Sequence, residues 1–451
     1  MVNAKKMEKL PEGWNLVKLG EVGKIFYGKR LSEVDYDEYG ESKVYGTSGV
    51  LARSHKFIDI GEALIIPRKG TINNKFYVGK DEKFWVIDTA FYLKTDINTK
   101  YLFYKLETID LNILNEATGV PSLNKNTLKQ IKILYPPLLE QRKIAEILET
   151  VDNSIEKTDK IIEKYKRIKQ GLMQVLLTKG IVESDELGVM SYESRNKSDE
   201  LGVRNYELKN EIREELGVKS FELADKKWEI RSEKKHKFKD SPLGRIPEEW
   251  EVVELGEVGS IITGSTPSTK KQEYYGDDYQ FISPEDINEE KYITKTQKML
   301  SGSGFKISRQ IPSQSICVVC IGSTIGKVAI TVEKCTTNQQ INTIVPDNDK
   351  YFPEALYYFV LYYVQNPLRK EAGLQAVPIV NKSKFSKVKI PLPPFSEQRR
   401  IAFVLSQIDR IIEREQRYKA KLERIKQGLM EDLLTGKIRV NHLIEGDGNN
   451  D

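Results

Sequence analysis

Apolar positions three and four apart form one stripe through Ile144, Leu148, Val151, Ile155, Tyr165, Ile168 and Leu172. A second runs through Ile401, Leu405, Ile408, Ile412, Leu422, Ile425 and Leu429. That spacing is one side of an α-helix. Each stretch follows a Pro-Pro pair and meets no glycine or proline before Gly171 or Gly428. The pattern therefore predicts two long helices, the first from about Leu139 to Leu177, roughly 60 Å at 1.5 Å per residue. Each stripe needs an apolar partner, and the two helices supply one another better than separate domains would. The seam is broken midway, at Thr158 and Glu415, so the expected pairing is a two-helix coiled coil with a local phase shift.

Elsewhere the pattern is that of short strands. "ALIIP" (Ala63 to Pro67), "FWVIDTAFYL" (Phe84 to Leu93), "SICVVCIG" (Ser315 to Gly322) and "VAITV" (Val328 to Val332) are β-rich and end at turn residues. One helix follows in each region, near "KYLFYKL" (Lys100 to Leu106) and "EALYYFVLYYV" (Glu354 to Val364). Their Tyr and Leu at helical spacing read as core. The fold class is α+β: two pseudo-symmetric mixed α/β domains and an antiparallel two-helix coiled coil.

The pseudo-symmetry is written into the chain. "LPEGWNLVKLGEVGKIFYG" (Leu10 to Gly28) returns as "IPEEWEVVELGEVGSIITG" (Ile246 to Gly264), 236 positions later. "PPLLEQRKIAEIL" (Pro136 to Leu148) returns as "PPFSEQRRIAFVL" (Pro393 to Leu405), 257 positions later, and stays in register as far as "RIKQGLM" at Arg167 and Arg424. Between these shared ends the halves diverge. The implied boundaries are a first domain at 1–135, its helix at 136–179, a charged linker at 180–243, a second domain at 244–392, its helix at 393–436 and a flexible tail at 437–451. The linker carries a smaller repeat, "SDELGV" at Ser184 and Ser198 with a relic "EELGV" at Glu214. Gly188, Gly202 and Gly217 each weaken a helix by about 1 kcal/mol, so the segment reads as a tether.

Composition adds limits. With 451 residues, 30% charged, 39% hydrophobic and a net charge of +5, the chain has room for several domains and a mildly basic surface. That balance permits nucleic acid without demanding it. Three cysteines make a disulfide framework improbable. No signal-peptide core precedes Trp14, and no apolar run approaches the roughly 20 residues of a membrane span. A cytoplasmic protein is expected.

No candidate catalytic motif in the chain is complete. "YPPL" (Tyr135 to Leu138) and "LPPF" (Leu392 to Phe395) lack the polar first residue with which amino-methyltransferase loops accept hydrogen bonds from the target amino group. "GSTIGKV" (Gly322 to Val328) has its glycines one residue too close for a phosphate loop, and Val328 where a Mg²⁺-binding hydroxyl is required. Glu289-Glu290-Lys291 after Asp286 reads as a solvated face. Cys317 and Cys320 on one strand point to opposite faces and read as core. His55, His236 and His442 are isolated, so no metal set is visible.

Duplicated and in this order, these motifs resemble the DNA-specificity subunits of type I restriction-modification systems. The marks are "SPLGRIPEEWEVVELGEV", "PPLLEQRKIA", "PPFSEQRRIA", the paired "KQGLM", "GSTIGKVAI", "TNQQIN" and "PIVNKSKF". The resemblance covers nearly the whole chain. It implies a non-catalytic subunit with two target-recognition domains. It further implies two modification subunits carrying S-adenosylmethionine and restriction subunits using ATP and Mg, with no cofactor or metal in this chain. The stripe residues would then serve both the coiled coil and subunit docking. Antiparallel helices close two tandem copies into a pseudo-dyad, matching that of duplex DNA and holding two readers about one turn apart. Divergent domains imply an asymmetric bipartite site with an unread gap.

Base-reading residues should be polar, on loops and mixed with phosphate-holding cations. In the first domain this selects Arg68, Lys69, Thr71, Asn73, Asn74 and Lys75; in the second, Lys270, Lys271, Ser323, Thr324, Lys327, Asn338, Gln339 and Gln340. The competing reading makes these segments structural turns with buried amide hydrogen bonds. Asn124 and Asn381 occupy matched segments and read as shared architecture. A self-contained methyltransferase or nuclease, and a coiled-coil scaffold with no DNA role, are the alternatives.

Overall fold

The structure is a computed structural model and describes residues 10–183, 228–365, 368 and 379–444. The "SDELGV" repeats lie outside the described residues. The chain divides into two compact units, one of residues 1–161 and 415–451, the other of residues 162–414. The divisions at 161 and 414 fall within four residues of Thr158 and Glu415, where the apolar seam is broken.

In the first unit, strands Gly23–Tyr27, Ala90–Thr95, Ala63–Pro67 and Phe76–Val78 lie side by side in that order, all antiparallel. Ala63–Pro67 is buried along its whole length, which explains an unbroken apolar run where a half-exposed strand would alternate. A second sheet runs Gly49–Ser54, Ser42–Gly46, Lys83–Val86 and Asp59–Ile60, with one parallel pairing between Ser42–Gly46 and Lys83–Val86. Asn15–Lys18 pairs with Lys132–Tyr135, bringing the two shared ends of the half together.

The second unit repeats this plan with other residues. Gly259–Thr263, Ile341–Pro346, Ile316–Val319 and Val328–Thr331 follow the same order, and Tyr292–Ile293 extends the edge in parallel. Its second sheet again contains one parallel pair, Tyr275–Ile282 with Cys335–Thr337. Glu251–Glu254 pairs with Lys389–Leu392, as the corresponding shared ends do in the first unit. Cys317, in strand Ile316–Val319, and Cys320, one residue past its end, are buried in different apolar clusters.

The long helices span Leu138–Leu176 and Phe395–Leu434. Pairing is antiparallel inside each unit. In the first unit, Asp152 meets Lys426 at 2.6 Å and Asp159 meets Lys419 at 2.6 Å, one number rising as the other falls. In the second, Lys169 meets Asp409 at 2.6 Å. Ile144, Leu148, Ile168, Leu172, Ile401, Leu405, Ile408, Ile412 and Leu422 are buried, while Tyr165 and Leu429 are partly buried against the cores. Val151 and Ile155 are half-buried. Ile425 does not join the seam: it is 42% exposed, and Leu429 and Met430 supply the packing at that turn.

Both ends of the charged joint belong to the fold. Ile181–Glu183 pairs antiparallel with Trp228–Ile230, and Phe238–Ser241 with Gly244–Pro247. Past the second helix, Val440 is buried and Asn441–Ile444 is helical.

Candidate nucleic-acid interface

The shared block that opens each half ends in a glycine, and its position explains why. A Cβ on Gly28 would lie 2.0 Å from the carbonyl oxygen of Ile87, and one on Gly264 would lie 2.2 Å from that of Thr337. Only glycine lets the chain pass this close. The consequence is the same in both domains: the loop after the first strand is pressed against the loop before the strand that pairs with it.

In the first domain this edge gathers loops 28–30, 47, 68–75, 87–89 and 121–125. Gly70 N–H donates to the Pro121 carbonyl, Leu123 N–H to the Arg68 carbonyl and Arg68 N–H to the Thr89 carbonyl, each at 2.9 Å. Thr71 Oγ1 and Asn74 Nδ2 both donate to the Thr47 carbonyl, at 2.7 and 3.2 Å. Lys69, Thr71, Asn73 and Asn74 are exposed. Asn73 is nevertheless engaged, its Oδ1 accepting from Leu111 N–H and from Lys75. Lys75 points inward: its ammonium donates to the Ile109 carbonyl at 2.9 Å, and burial pushes its pKa below the usual lysine range. Its polar loop context pointed outward, but Lys75 closes the loop from inside.

Two residues that sequence reasoning passed over complete this edge. Tyr27, 52% exposed, has the Arg68 guanidinium 5.4 Å and the Lys125 ammonium 5.2 Å from its ring centre. Arg68 also reaches the Asp88 carbonyl at 2.9 Å. A cation held over a ring is pre-ordered, so less side-chain freedom is lost when it meets a phosphate. The available signal was divergence within a matched block, because Tyr27 corresponds to Thr263 immediately before the shared glycine.

In the second domain the corresponding edge gathers loops 264–271, 309, 322–327 and 338–340. Asn338 and Gln340 bond to each other, Nδ2 to Oε1 and backbone N–H to Oδ1, both at 3.0 Å. Gln339 is exposed and accepts from Thr266 Oγ1 at 2.5 Å. Gly322 and Gly326 take positive φ, which shapes the turn presenting exposed Ser323 and half-exposed Thr324 and Lys327. Lys270 and Lys271 are exposed; the Lys271 ammonium donates to the Tyr274 hydroxyl, which raises its pKa. Arg309, not singled out by sequence, donates to the Thr263 carbonyl at 2.7 Å and brings a cation to the same edge. Asn124 and Asn381 cap short helices, accepting from Asn126 and Lys384 N–H.

The shared "EQR" motif acquires a chemical meaning at the helix starts. Glu140 accepts from Trp14 Nε1 at 2.9 Å and from Arg439, at 2.7 Å from Nε and 2.9 Å from Nη2. Burial raises the Glu140 pKa, but the bonds from Arg439 and Trp14 outweigh it and hold the carboxyl below its usual range. Glu397 repeats the arrangement with Trp250 at 3.2 Å, Ile181 N–H at 2.8 Å and both terminal nitrogens of Arg231. There burial prevails and pushes the carboxyl up. Gln141 accepts from Asn98 N–H at the start of helix Thr99–Glu107, and Gln398 from Phe352 N–H at the start of helix Pro353–Tyr363. Each copy of the motif thus ties a domain to a long helix through its first turn. Among the described residues no cluster of three or more metal-ligating side chains occurs, and no helix is long and apolar enough to cross a membrane.

Two divergent polar edges stand on one duplicated frame. The pattern of the type I restriction modification DNA specificity domain matches residues 11–167 and 247–424, and the chain belongs to that family, which recognises DNA sequence. It is 27% identical to the type I restriction enzyme MjaVIII specificity subunit of Methanocaldococcus jannaschii, over 98% of this chain and 97% of that one. It is 40% identical to the HindI specificity subunit of Haemophilus influenzae over 33% of each. The crystal structure of a type I restriction-modification S subunit from M. genitalium shares the fold, with a TM-score of 0.61 at 13% identity, covering 94% of this chain and 98% of that one.

Proposed function

We propose that this chain is the non-catalytic DNA-reading subunit of a type I restriction-modification enzyme. Each domain reads one half of an asymmetric bipartite target. The observation that carries the reading is one strand plan built twice, with unlike polar residues on matching edges: Arg68, Lys69, Thr71 and Asn74 in one, Ser323, Thr324, Gln339 and Lys271 in the other. A frame kept constant while its edge varies is what two different base sequences require.

Two modification subunits carrying S-adenosylmethionine would dock on the helices, and restriction subunits using ATP and Mg would join them. Most of the seam is buried and leaves little surface for that docking. Exposed apolar side chains at matched positions, Leu138 with Phe395 and Ile161 with Tyr418, support two equivalent sites instead. The net charge of +5 gives a modest phosphate-neutralising contribution, so the lone chain binds DNA weakly and transfers no methyl group. Methyl incorporation from labelled S-adenosylmethionine by the lone chain would refute this. Replacing residues 29–132 with the corresponding region of another family member changes one half-site and preserves the gap; a change in both half-sites would overturn the assignment of one domain to one half-site.

A further inference from the structure

A second duplicated cluster joins each domain helix to the two long helices. In the first unit, Tyr104 on the domain helix Thr99–Glu107 donates its hydroxyl to Asp152 Oδ2 of the first long helix at 2.8 Å. The other oxygen of Asp152 meets the Lys426 ammonium of the second long helix at 2.6 Å, and that ammonium stands 5.6 Å from the Tyr104 ring centre. In the second unit, Tyr358 on helix Pro353–Tyr363 donates to Asp409 Oδ2, Asp409 Oδ1 meets Lys169 at 2.6 Å, and Lys169 lies 5.9 Å from the Tyr358 ring centre.

The roles of the long helices are exchanged between the two clusters, as pseudo-symmetry demands. Asp152 and Asp409, like Lys169 and Lys426, are separated by the helix repeat of 257. The tyrosines are 254 apart and lie in regions that otherwise diverge. The same three-membered contact therefore stands twice on unlike domains. Lys291 reinforces the second copy, donating to Ser406 Oγ at 2.8 Å and to the Tyr358 hydroxyl at 3.3 Å.

Apolar packing attracts without fixing direction, and the glutamine of each helix start holds only the first turn of its domain helix. In both units a carboxylate further along joins the domain helix to both long helices, and charge-assisted hydrogen bonds are short and directional. Tyr104 and Tyr358 are almost wholly buried, and burial together with the facing carboxylates pushes both phenols up, keeping them donors.

We propose that the two Tyr–Asp–Lys contacts are latches that hold each recognition domain at one angle on the helix pair, so that the enzyme accepts one gap length between half-sites. The residues are positioning residues and touch no base. The proposal rests on the bipartite reading above.

The test uses the full chain assembled with its modification subunits and a set of duplexes in which both half-sites are fixed and the gap varies by one or two base pairs. Wild type methylates one gap. Tyr104→Phe and Tyr358→Phe remove a single hydroxyl each and leave the packing; the preference in kcat/KM for the correct gap over its neighbours falls about tenfold, the scale of one hydrogen bond to a charged group. Half-site sequences stay unchanged. Lys419→Met breaks a helix-to-helix pair with no domain partner and keeps the gap narrow, which separates latching from general loosening. Gap selectivity as sharp as wild type in both tyrosine variants overturns the latch, whatever their melting temperatures. Wild-type methylation indifferent to the presence of a second half-site overturns the bipartite reading and the latch with it.

Discussion

Deleting Ser184 to Lys197, one copy of the small repeat, has two opposite outcomes under two physical pictures. Were those 14 residues a continuation of the first long helix, the junction would shorten by roughly 20 Å, about six base pairs of B-DNA at 3.4 Å each. The strands on either side argue otherwise. Glu183 and Trp228 are partners in one antiparallel ladder, so the excursion between them leaves and returns at a single place. Arg231 then locks the returning strand onto Glu397, and Arg400 lies 5.0 Å from the ring centre of Trp228. For a tether closed at both ends by that ladder, shortening from roughly 44 to 30 residues would change only the closure entropy, by about 0.3 kcal/mol in favour of the shorter form. The expected result is an unchanged gap in methylated sites mapped across a genome, with an unfolding midpoint that barely moves. A gap shortened by several base pairs would refute the reasoning.

Three further outcomes follow from particular contacts. Glu140→Gln costs about 1–3 kcal/mol at pH 7, since Arg439 loses its charged partner but remains partly exposed. Because the folded pKa of Glu140 is depressed, its stabilisation is fully present above the usual carboxylate range near 4.3 and is lost as pH falls through the lower folded value; the urea midpoints of wild type and variant should draw together progressively as pH falls from about 4, and a gap that does not narrow would contradict the assignment. Gly28→Ala displaces the 86–89 loop and abolishes recognition of one half-site, while Gly264→Ala abolishes the other; filter binding to duplexes mutated in either half tells them apart. Lys69→Ala lowers the slope of log affinity against log salt by about one, whereas Lys75→Met leaves the slope unchanged because its ammonium is spent on the Ile109 carbonyl.

Local patterns were legible in proportion to how local their causes are. The first long helix was expected over Leu139 to Leu177 and runs over Leu138–Leu176, because apolar spacing and a Pro-Pro stop act within a few turns. "ALIIP" became one buried strand with the same ends. Partners distant in sequence left no comparable trace. Arg439 closes on Glu140 across 299 positions, and its counterpart Arg231 arrives from beyond the excursion. In the aligned helix repeat, Arg439 falls opposite Val182, so register alone could not pair the two arginines. Lys75 was misread for a related reason: its loop context is polar, and only the carbonyl of Ile109 reveals that the side chain turns inward. Whether Thr71 or Gln339 reads a base depends on a surface the duplex would complete, which no intrachain pattern encodes.

The division of the chain also orders its manufacture. Residues 162–414 form one uninterrupted span, so a ribosome releases everything the second unit needs in a single passage. The first unit must wait: Leu433, Leu434 and Val440 belong to its core, Arg439 seals Glu140, and Lys105 donates to the carbonyl of Leu434. The domain synthesised first is therefore completed last. A premature stop after residue 414 spares the later domain and strikes the earlier one, so loss of the C-terminal end would be felt as blindness to the half-site read by the N-terminal domain.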